Sequence, residues 1–587
     1  MLYPTLTELN TSRTLIDVFK GYNHNLRIGE GEFFDMKNLS SDSYPVLSPR
    51  PKRGIYATPT APQGLVAKDS LCYVDGSDFF INGYRVPMRL TTDDKPKTLI
   101  SMGAYVIIMP DKKYINTENH SDNGDIEAEV KTTSDVSFSL CKVDGVSYEN
   151  TKDGKTAPTV TEEMEKDPTL IPLWIDTSST PHQLKQYSLT TEMWSAIATT
   201  YIKISATGIG KPFSVNDGVT ISGVEDESLQ DLNASMVIWA KGDDYIVVTG
   251  ILDKVKTQKT AVTVARRMPN MDFIIESRNR LWGCRYGPAL NGEIVNEIYA
   301  CKLGDFKNWN CFMGISTDSY AASVGTDGQF TGAITHDGFP IFFKENYMHK
   351  VYGSYPAQYS IQDTACRGVQ KGCARSLSIV NEVLYYKARS GVCAYDGSLP
   401  MEISSALGED SYHNAVAGTL GNKYYISMSD ASEGWHLFVY DTLKGMWHRE
   451  DDTQAVDFCN CRGDLYYIDY ADNQIKTVRG TQGVLEDKPI EWEAVTGIIG
   501  TDSPDKKYIS RMDVRMSLVV GARASFFCEY DSSGEWEHLF TMDGVKLRSF
   551  AVPIRPQRCD HLRLKIIGSG EAKIFSICKT IEQGSDV

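Results

Sequence analysis

Short apolar runs separated by tight polar turns recur from residue 272 to 478, and the pattern within each unit repeats. An apolar stretch is followed by a turn, then by a Tyr- or Phe-rich stretch, then by a second turn built on Asp or Gly. Ala374–Gly397, Asn414–His448 and Val456–Val478 are the clearest copies; Phe330–Gly353 and Asp272–Phe306 are looser ones. Runs this short, bounded by Gly, Asn and Asp, read as strands rather than helices. Three or four strands per unit, at a spacing of roughly 40 residues, predict β-propeller blades. That architecture serves binding and assembly as well as chemistry, so it does not by itself assign a function.

The pattern changes on either side of these units. Residues 56–116 hold the first propeller strands: Leu71–Val86 carries Asp75-Gly76 and Asn82-Gly83 hairpin signals, and Ala104–Met109 is a continuous apolar strand. Residues 117–267 interrupt the register. Within them, Tyr201–Ala265 reads as four or five short strands of a small barrel or sandwich inserted into a propeller loop, where insertions cost little closure entropy. The main blades occupy 268–485. In 486–587, Met512, Val514, Met516 and Leu518 alternate with Arg511, Asp513, Arg515 and Ser517, and Leu562, Leu564 and Ile566 alternate with His561, Arg563 and Lys565. That period of two predicts a C-terminal antiparallel β-sandwich. Residues 1–55 are rich in Gly, Asn and Pro (Gly21–Gly31, Ser40–Gly54) and predict an extended N-terminal arm lying along another surface. The expected class is all-β: a β-propeller with an inserted small β-barrel or sandwich domain and a C-terminal antiparallel β-sandwich.

Composition narrows the partners. Among 587 residues, 76 acidic side chains face 60 basic ones, a formal charge of −16. This disfavours a protein that grips phosphates through a broad basic surface, while leaving room for a conduit that nucleic acid passes without sticking. The 31 tyrosines suit strands and interfaces, where the ring packs and the hydroxyl stays wet. No basic-then-apolar leader pattern opens the chain and no run approaches the roughly 18–20 apolar residues of a membrane span. Synthesis in a cytoplasm is expected, with the 13 cysteines reduced.

Candidate chemistry is sparse. Cys459 and Cys461 share one face of a strand but have no further soft ligands at zinc spacing, and read as idle thiols. The ten histidines are dispersed and no G-x-S-x-G elbow occurs. Arg462-Gly463-Asp464 reads as a hairpin turn. Tyr530–Trp536 departs from the Asp-box spacing of sialidases and reads as a turn with Trp packing. The acidic pairs Asp451-Asp452 and Glu409-Asp410 lack a calcium-loop framework and read as solvated turns. No catalytic, cofactor or metal residue is nominated, and a protein that is not an enzyme is expected.

Two stretches resemble a known family, and a third fits it loosely. The first is Met36-Lys37-Asn38-Leu39 followed by Tyr44–Pro51 and Arg53-Gly54, with Asn38, Leu39, Pro45, Leu47, Arg50 and Arg53 in matching positions. The second is Gly332–Ser354 with Gly368–Ala374 and the turn from Ser390-Gly391 to Asp396-Gly397. The loose fit is Trp492–Asp586, with Lys507–Arg511 and Arg558–His561. These are similar to tail nozzle or hub proteins of tailed bacteriophages, also called packaged-DNA stabilisation or tail tubular B-type proteins. The region around 117–265 lies outside the resemblance. It implies a structural virion protein, made in the host bacterial cytoplasm and built into the phage tail. There it would form a homo-hexameric ring that encloses the DNA exit channel and docks adaptor or portal-side proteins and fibres or spikes. Viral DNA would pass through the lumen without sequence-specific binding. The arm is then expected to fold on a neighbouring subunit through Phe33, Phe34, Asn38, Leu39, Tyr44, Pro45, Leu47, Arg50 and Arg53. Two other readings stay open: a glycan-binding or glycan-cleaving propeller, and a minor tail or baseplate protein of a long-tailed phage.

Overall fold

The computed structural model describes residues 11–93, 95–148, 158–166, 168–169, 172–289, 292–501 and 506–583. Strands dominate throughout, and the helical segments among these residues are short 3-10 turns.

Seven antiparallel sheets follow one another around a ring. Their innermost strands are Pro62–Ala67, Thr98–Met102, Phe273–Ser277, Phe330–His336, Ser378–Val380, His413–Leu420 and Ala455–Cys461. Each neighbours the next, and the seventh returns to the first, so the propeller closes with seven blades. Closure is also made at the rim. The seventh blade takes only three strands from its own stretch of chain; its fourth is Gly54–Ala57, paired antiparallel with Ile475–Thr477. The aromatic pairs seen in the sequence occupy the second strand of their blades: Phe342 and Phe343, Tyr385 and Tyr386, Tyr424 and Tyr425, Tyr466 and Tyr467, all buried. Adjacent side chains on a strand face opposite ways, and this strand is covered by a neighbouring blade on each side. Both aromatics are therefore core.

The inserted residues leave the second blade after Asp125 and rejoin the third at Phe273. A four-stranded and a five-stranded sheet enclose a core of Phe138, Ile202, Ile204, Val219, Ile246 and Val264, giving a small sandwich. The inserted residues also hold a further four-stranded sheet, from Thr159–Thr161 to Met193–Ala196.

The C-terminal residues form two sheets packed face to face. Met512, Val514, Met516, Leu518, Leu562, Leu564 and Ile566 all point into the core between them, as their alternation predicts. One sheet runs Thr11–Ile16, Ala572–Gln583, Lys507–Leu518, Arg548–Val552. The other belongs to a ten-stranded sheet that passes through Gly21–Tyr22 and Glu32–Lys37 into the sixth blade.

Here the structure corrects the expectation of an extended arm. The N-terminal segment is woven through its own chain, pairing with the terminal sandwich at both sheets and with the sixth and seventh blades. The prolines and glycines do break it into short pieces. Between those breaks, however, Phe19, Tyr22, Phe33, Met36, Leu39 and Leu47 are buried in the core shared by propeller and sandwich. Segments carrying that much apolar surface find their lowest free energy inside the fold.

Candidate functional site

The residues nominated as an assembly arm divide into packing groups and an ionic group. Phe33, Leu39 and Leu47 are core side chains, and Leu47 exchanges backbone hydrogen bonds with Ile574 of the sandwich. Phe34 stacks on His24 with ring centroids 4.2 Å apart, and the Arg563 guanidinium lies over its face. Tyr44 is 41% exposed beneath the Lys444 ammonium, and Pro45 lends its carbonyl to the Phe19 amide.

Asn38, Arg50 and Arg53 converge. Asn38 adopts φ 55°, a left-handed conformation that Asn tolerates. From there its carbonyl oxygen Oδ1 accepts from Arg50 Nε at 2.8 Å, while its Nδ2 donates to the Glu491 carbonyl. Arg53 Nη2 donates to Glu450 Oε2 at 2.8 Å, and Arg53 Nη1 lies 2.8 Å from Asp451 Oδ2. Arg50 approaches Glu450, Asp451 and Glu486 at 3.6 to 3.9 Å. Both arginines and Glu450 are buried. Burial pushes the Asp451 carboxyl up, but the guanidiniums of Arg53 and Arg50 outweigh it and hold the group at about 2. Glu450 and Asp451 sit on the link between the sixth and seventh blades, so this network fastens the N-terminal segment where the propeller closes. Their part was missed in the sequence, where the Asp451-Asp452 pair reads as solvated.

A second feature lies on the face where the inner strands begin. Arg375, just before the fifth blade, donates to the Val456 carbonyl of the seventh blade at 2.8 Å and to the Lys97 carbonyl beside the second at 3.2 Å. A side chain touching the fifth, seventh and second blades crosses the propeller axis, so Arg375 bars the channel of the single propeller at this face.

Beside it, between the fifth and sixth blades, is a pocket of about 160 Å³ lined by Arg389, Glu402, Glu409, Asp410 and Tyr412 over Lys387. Its wall is the connection from Ile403 to Tyr412. The N-terminal segment props that wall, with the His24 amide donating to the Ala406 carbonyl and Asn25 Nδ2 to the Ser405 carbonyl, and the sixth blade adds Trp447 Nε1, which donates to the Ile403 carbonyl. Lys387 is spent on Gln370 Oε1 and the Ala388 carbonyl, and burial lowers its pKa. Burial raises the Tyr412 hydroxyl pKa, reinforced by Asp410 at 3.5 Å. The pocket thus offers carboxylate acceptors, a neutral phenol and a guanidinium. Such a set suits a hydroxyl-rich ligand. The Glu409-Asp410 pair, read as a solvated turn, is exposed but shares this rim.

The remaining motifs fall in turns. Arg462 and Gly463, both at positive φ, form a tight hairpin turn, while Asp464 is buried against the Arg479 and Thr481 amides. Asp531 and Ser532 likewise make a turn in the sandwich. Among the described residues no cluster of metal-ligating side chains occurs, the cysteines are unbridged, and no helix is long and apolar enough to cross a membrane.

No protein-family model matches the chain, and no curated protein matches it. Solved structures do. One is an exo-beta-1,3-galactanase from Phanerochaete chrysosporium, at 8% identity over 52% of this chain and 94% of that one, with a TM-score of 0.22. Another is a GH43 glycoside hydrolase with endo-xylanase and exo-arabinofuranosidase activity, at 8% identity over 53% and 96%, with a TM-score of 0.20. A third is the acylaminoacyl peptidase of Pyrococcus horikoshii, at 11% identity over 49% and 47%, with a TM-score of 0.23. All three are enzymes, which overturns the expectation that this chain stands apart from enzymes. At such identities and scores they assign it no reaction.

Proposed function

We propose that this protein is a structural component of a bacteriophage tail, a propeller-based subunit that assembles into a ring around the DNA exit path and presents its inserted domain and sandwich to neighbouring tail proteins. One observation carries the reading. Asn38, Leu39, Leu47, Arg50 and Arg53, which give the N-terminal segment its resemblance to tail nozzle proteins, are the residues that join propeller, sandwich and chain closure. A motif with that role belongs to a scaffold whose separate units must keep their relative placement. In this reading the DNA path runs between copies, since Arg375 bars the axis of a single propeller. The formal charge of −16 suits a wall that phosphate leaves quickly. Gold-labelled antibody on intact virions tests this: label at the tail supports it, and label absent from particles overturns it.

A second reading is favoured by the pocket between the fifth and sixth blades, where Glu402, Asp410 and Tyr412 line one cleft. In that reading the propeller binds or cleaves a surface glycan, alone or as part of the tail. Binding of host cell-wall polysaccharide that is lost when these residues are replaced would support it.

A further inference from the structure

The strand Thr11–Ile16 is the outermost strand of the terminal sandwich. One of its edges pairs antiparallel with Ala572–Gln583, from Thr11 opposite Glu582 to Ile16 opposite Ile577; the other edge has no strand beside it among the described residues. Ile16 packs at the margin of the main core. Thr11, Ser12, Arg13 and Leu15 are exposed, Leu15 at 59%. Its most specific side-chain contacts come from Arg13, whose Nε donates to Cys578 Sγ at 3.1 Å and whose Nη2 lies 3.7 Å from Asp513. Beneath the strand is a cavity of about 550 Å³ lined in part by Thr14, Ile16, Phe19 and Ile577. The chain leaves through Asp17 and Val18, both exposed, and is first anchored at Phe19, whose amide donates to the Pro45 carbonyl. The strand therefore has one neighbouring strand among the described residues, lies over a cavity and ends in an exposed hinge.

We propose that this strand is exchanged between copies: Thr11–Ile16 of one chain completes the sandwich of another by pairing with its Ala572–Gln583 edge. The occupant is a second copy because the edge already takes this sequence, in this register and with the Arg13 contacts. Exchange gives up no ladder bond and needs no new complementarity; only the hinge and the surfaces brought together change. The bridge between copies is the link from Ile16 through Asp17 and Val18 to Phe19, which spans about 10 Å when extended, so partners must bring their sandwich edges within that reach. Passed head to tail, the strand links each subunit to the next and closes a ring when the rotation allows. This deepens the ring reading above and rests on it for the head-to-tail order.

The register supplies the test. Leu15 faces Cys578 across the ladder, where opposed Cβ atoms are about 4.5–5.5 Å apart, near the separation a disulfide bridges. Full-length Leu15→Cys protein is oxidised after assembly and run without reductant. Exchange gives chain-to-chain products extending beyond dimers, and Cys578→Ser removes them. A purely intrachain bond in assembled rings overturns exchange and leaves the ring reading standing. Interchain dimers in a preparation that never forms rings uphold exchange and overturn the ring reading. Thr11→Cys with Glu582→Cys, in a Cys578→Ser chain, repeats the test at another rung. Absence of interchain products at both rungs counts against exchange.

Discussion

Arg53 Nη2 lies 2.8 Å from Glu450 Oε2 although the two residues are 397 positions apart in the sequence, and both side chains are 4% exposed. The guanidinium also holds Asp451 and lies over the Tyr467 ring. One planar cation thus satisfies two carboxylates on the link between the last two blades, at the point where Gly54–Ala57 completes the seventh. Removing it leaves Arg50 as the guanidinium facing Glu450 and Asp451, at the longer distances of 3.9 and 3.7 Å, the costly way to break such a network.

Arg53→Ala is expected to destabilise the protein by about 3–5 kcal/mol. Arg53→Lys should recover only part of that, since an ammonium cannot reproduce the two-pronged geometry. Urea midpoints, followed by tryptophan fluorescence, check both. A wild-type midpoint in Arg53→Ala would show that the network contributes nothing to closure.

Gly21 has φ +84°, and a Cβ placed there would meet the Trp447 carbonyl oxygen at 2.3 Å. The N-terminal segment passes flush against the sixth blade at this point, and Tyr22 pairs with Trp447. Gly21→Ala should cost more than about 1 kcal/mol, because the backbone conformation is unsuited to a side chain and the neighbouring atom is backbone. Thermal unfolding of this variant beside Gly421→Ala, also at positive φ but in open space, separates the clash from the conformational cost.

Burial, reinforced by nearby Lys344, lowers the His349 pKa to about 4; Thr326 Oγ1 sits 2.9 Å from its Nε2. The unfolded imidazole titrates near 6.5. Above that pH both states are neutral and the group makes no difference. As pH falls from about 6.5 towards 4, the unfolded chain takes a proton that the folded one refuses, so stability declines across that window. Melting temperatures measured from pH 7 to 4 should fall, and His349→Gln should flatten the slope. An unchanged slope would contradict the assignment.

Much of the fold was legible in the sequence for a plain reason. Blade strands are short and end in turns that demand particular residues, so Asn82-Gly83 at φ 51° and 79° marks a hairpin directly. The alternation of Met512 to Leu518 likewise marks a half-buried strand. The N-terminal segment misled because its prolines and glycines are genuine breaks, while the strands between them are as short as Gly21–Tyr22 and Leu39–Ser40. No local pattern marks a strand of two residues, whether its partner is as near as Ser48–Pro49 for Leu39–Ser40 or as far as Trp447 for Tyr22. The same holds for sites. Asn38, Arg50 and Arg53 were picked out, but Glu450 and Asp451 look like any acidic turn until closure brings them beneath two arginines. The rim of Glu402, Glu409, Asp410 and Tyr412 comes from one short stretch leading from the fifth blade to the sixth, but the Glu409-Asp410 pair in it looks like a solvated turn until the facing Lys387 and Arg389 are placed.

If the pocket between the fifth and sixth blades takes a glycan, Glu402→Gln combined with Asp410→Asn should weaken binding by at least about tenfold, the loss of one charge-assisted hydrogen bond or more. Calorimetric titration with purified cell-wall polysaccharide measures this. Equal binding by the double variant would remove the pocket from consideration.

The central claim, a subunit built to assemble into a ring around a DNA path, is tested most directly by the mass and shape of the purified full-length protein. Light scattering and negative-stain imaging, alone and with the tail proteins encoded beside it, supply both. The account predicts a ring of about six copies with an axial hole. A protein that stays monomeric under every one of these conditions would contradict it.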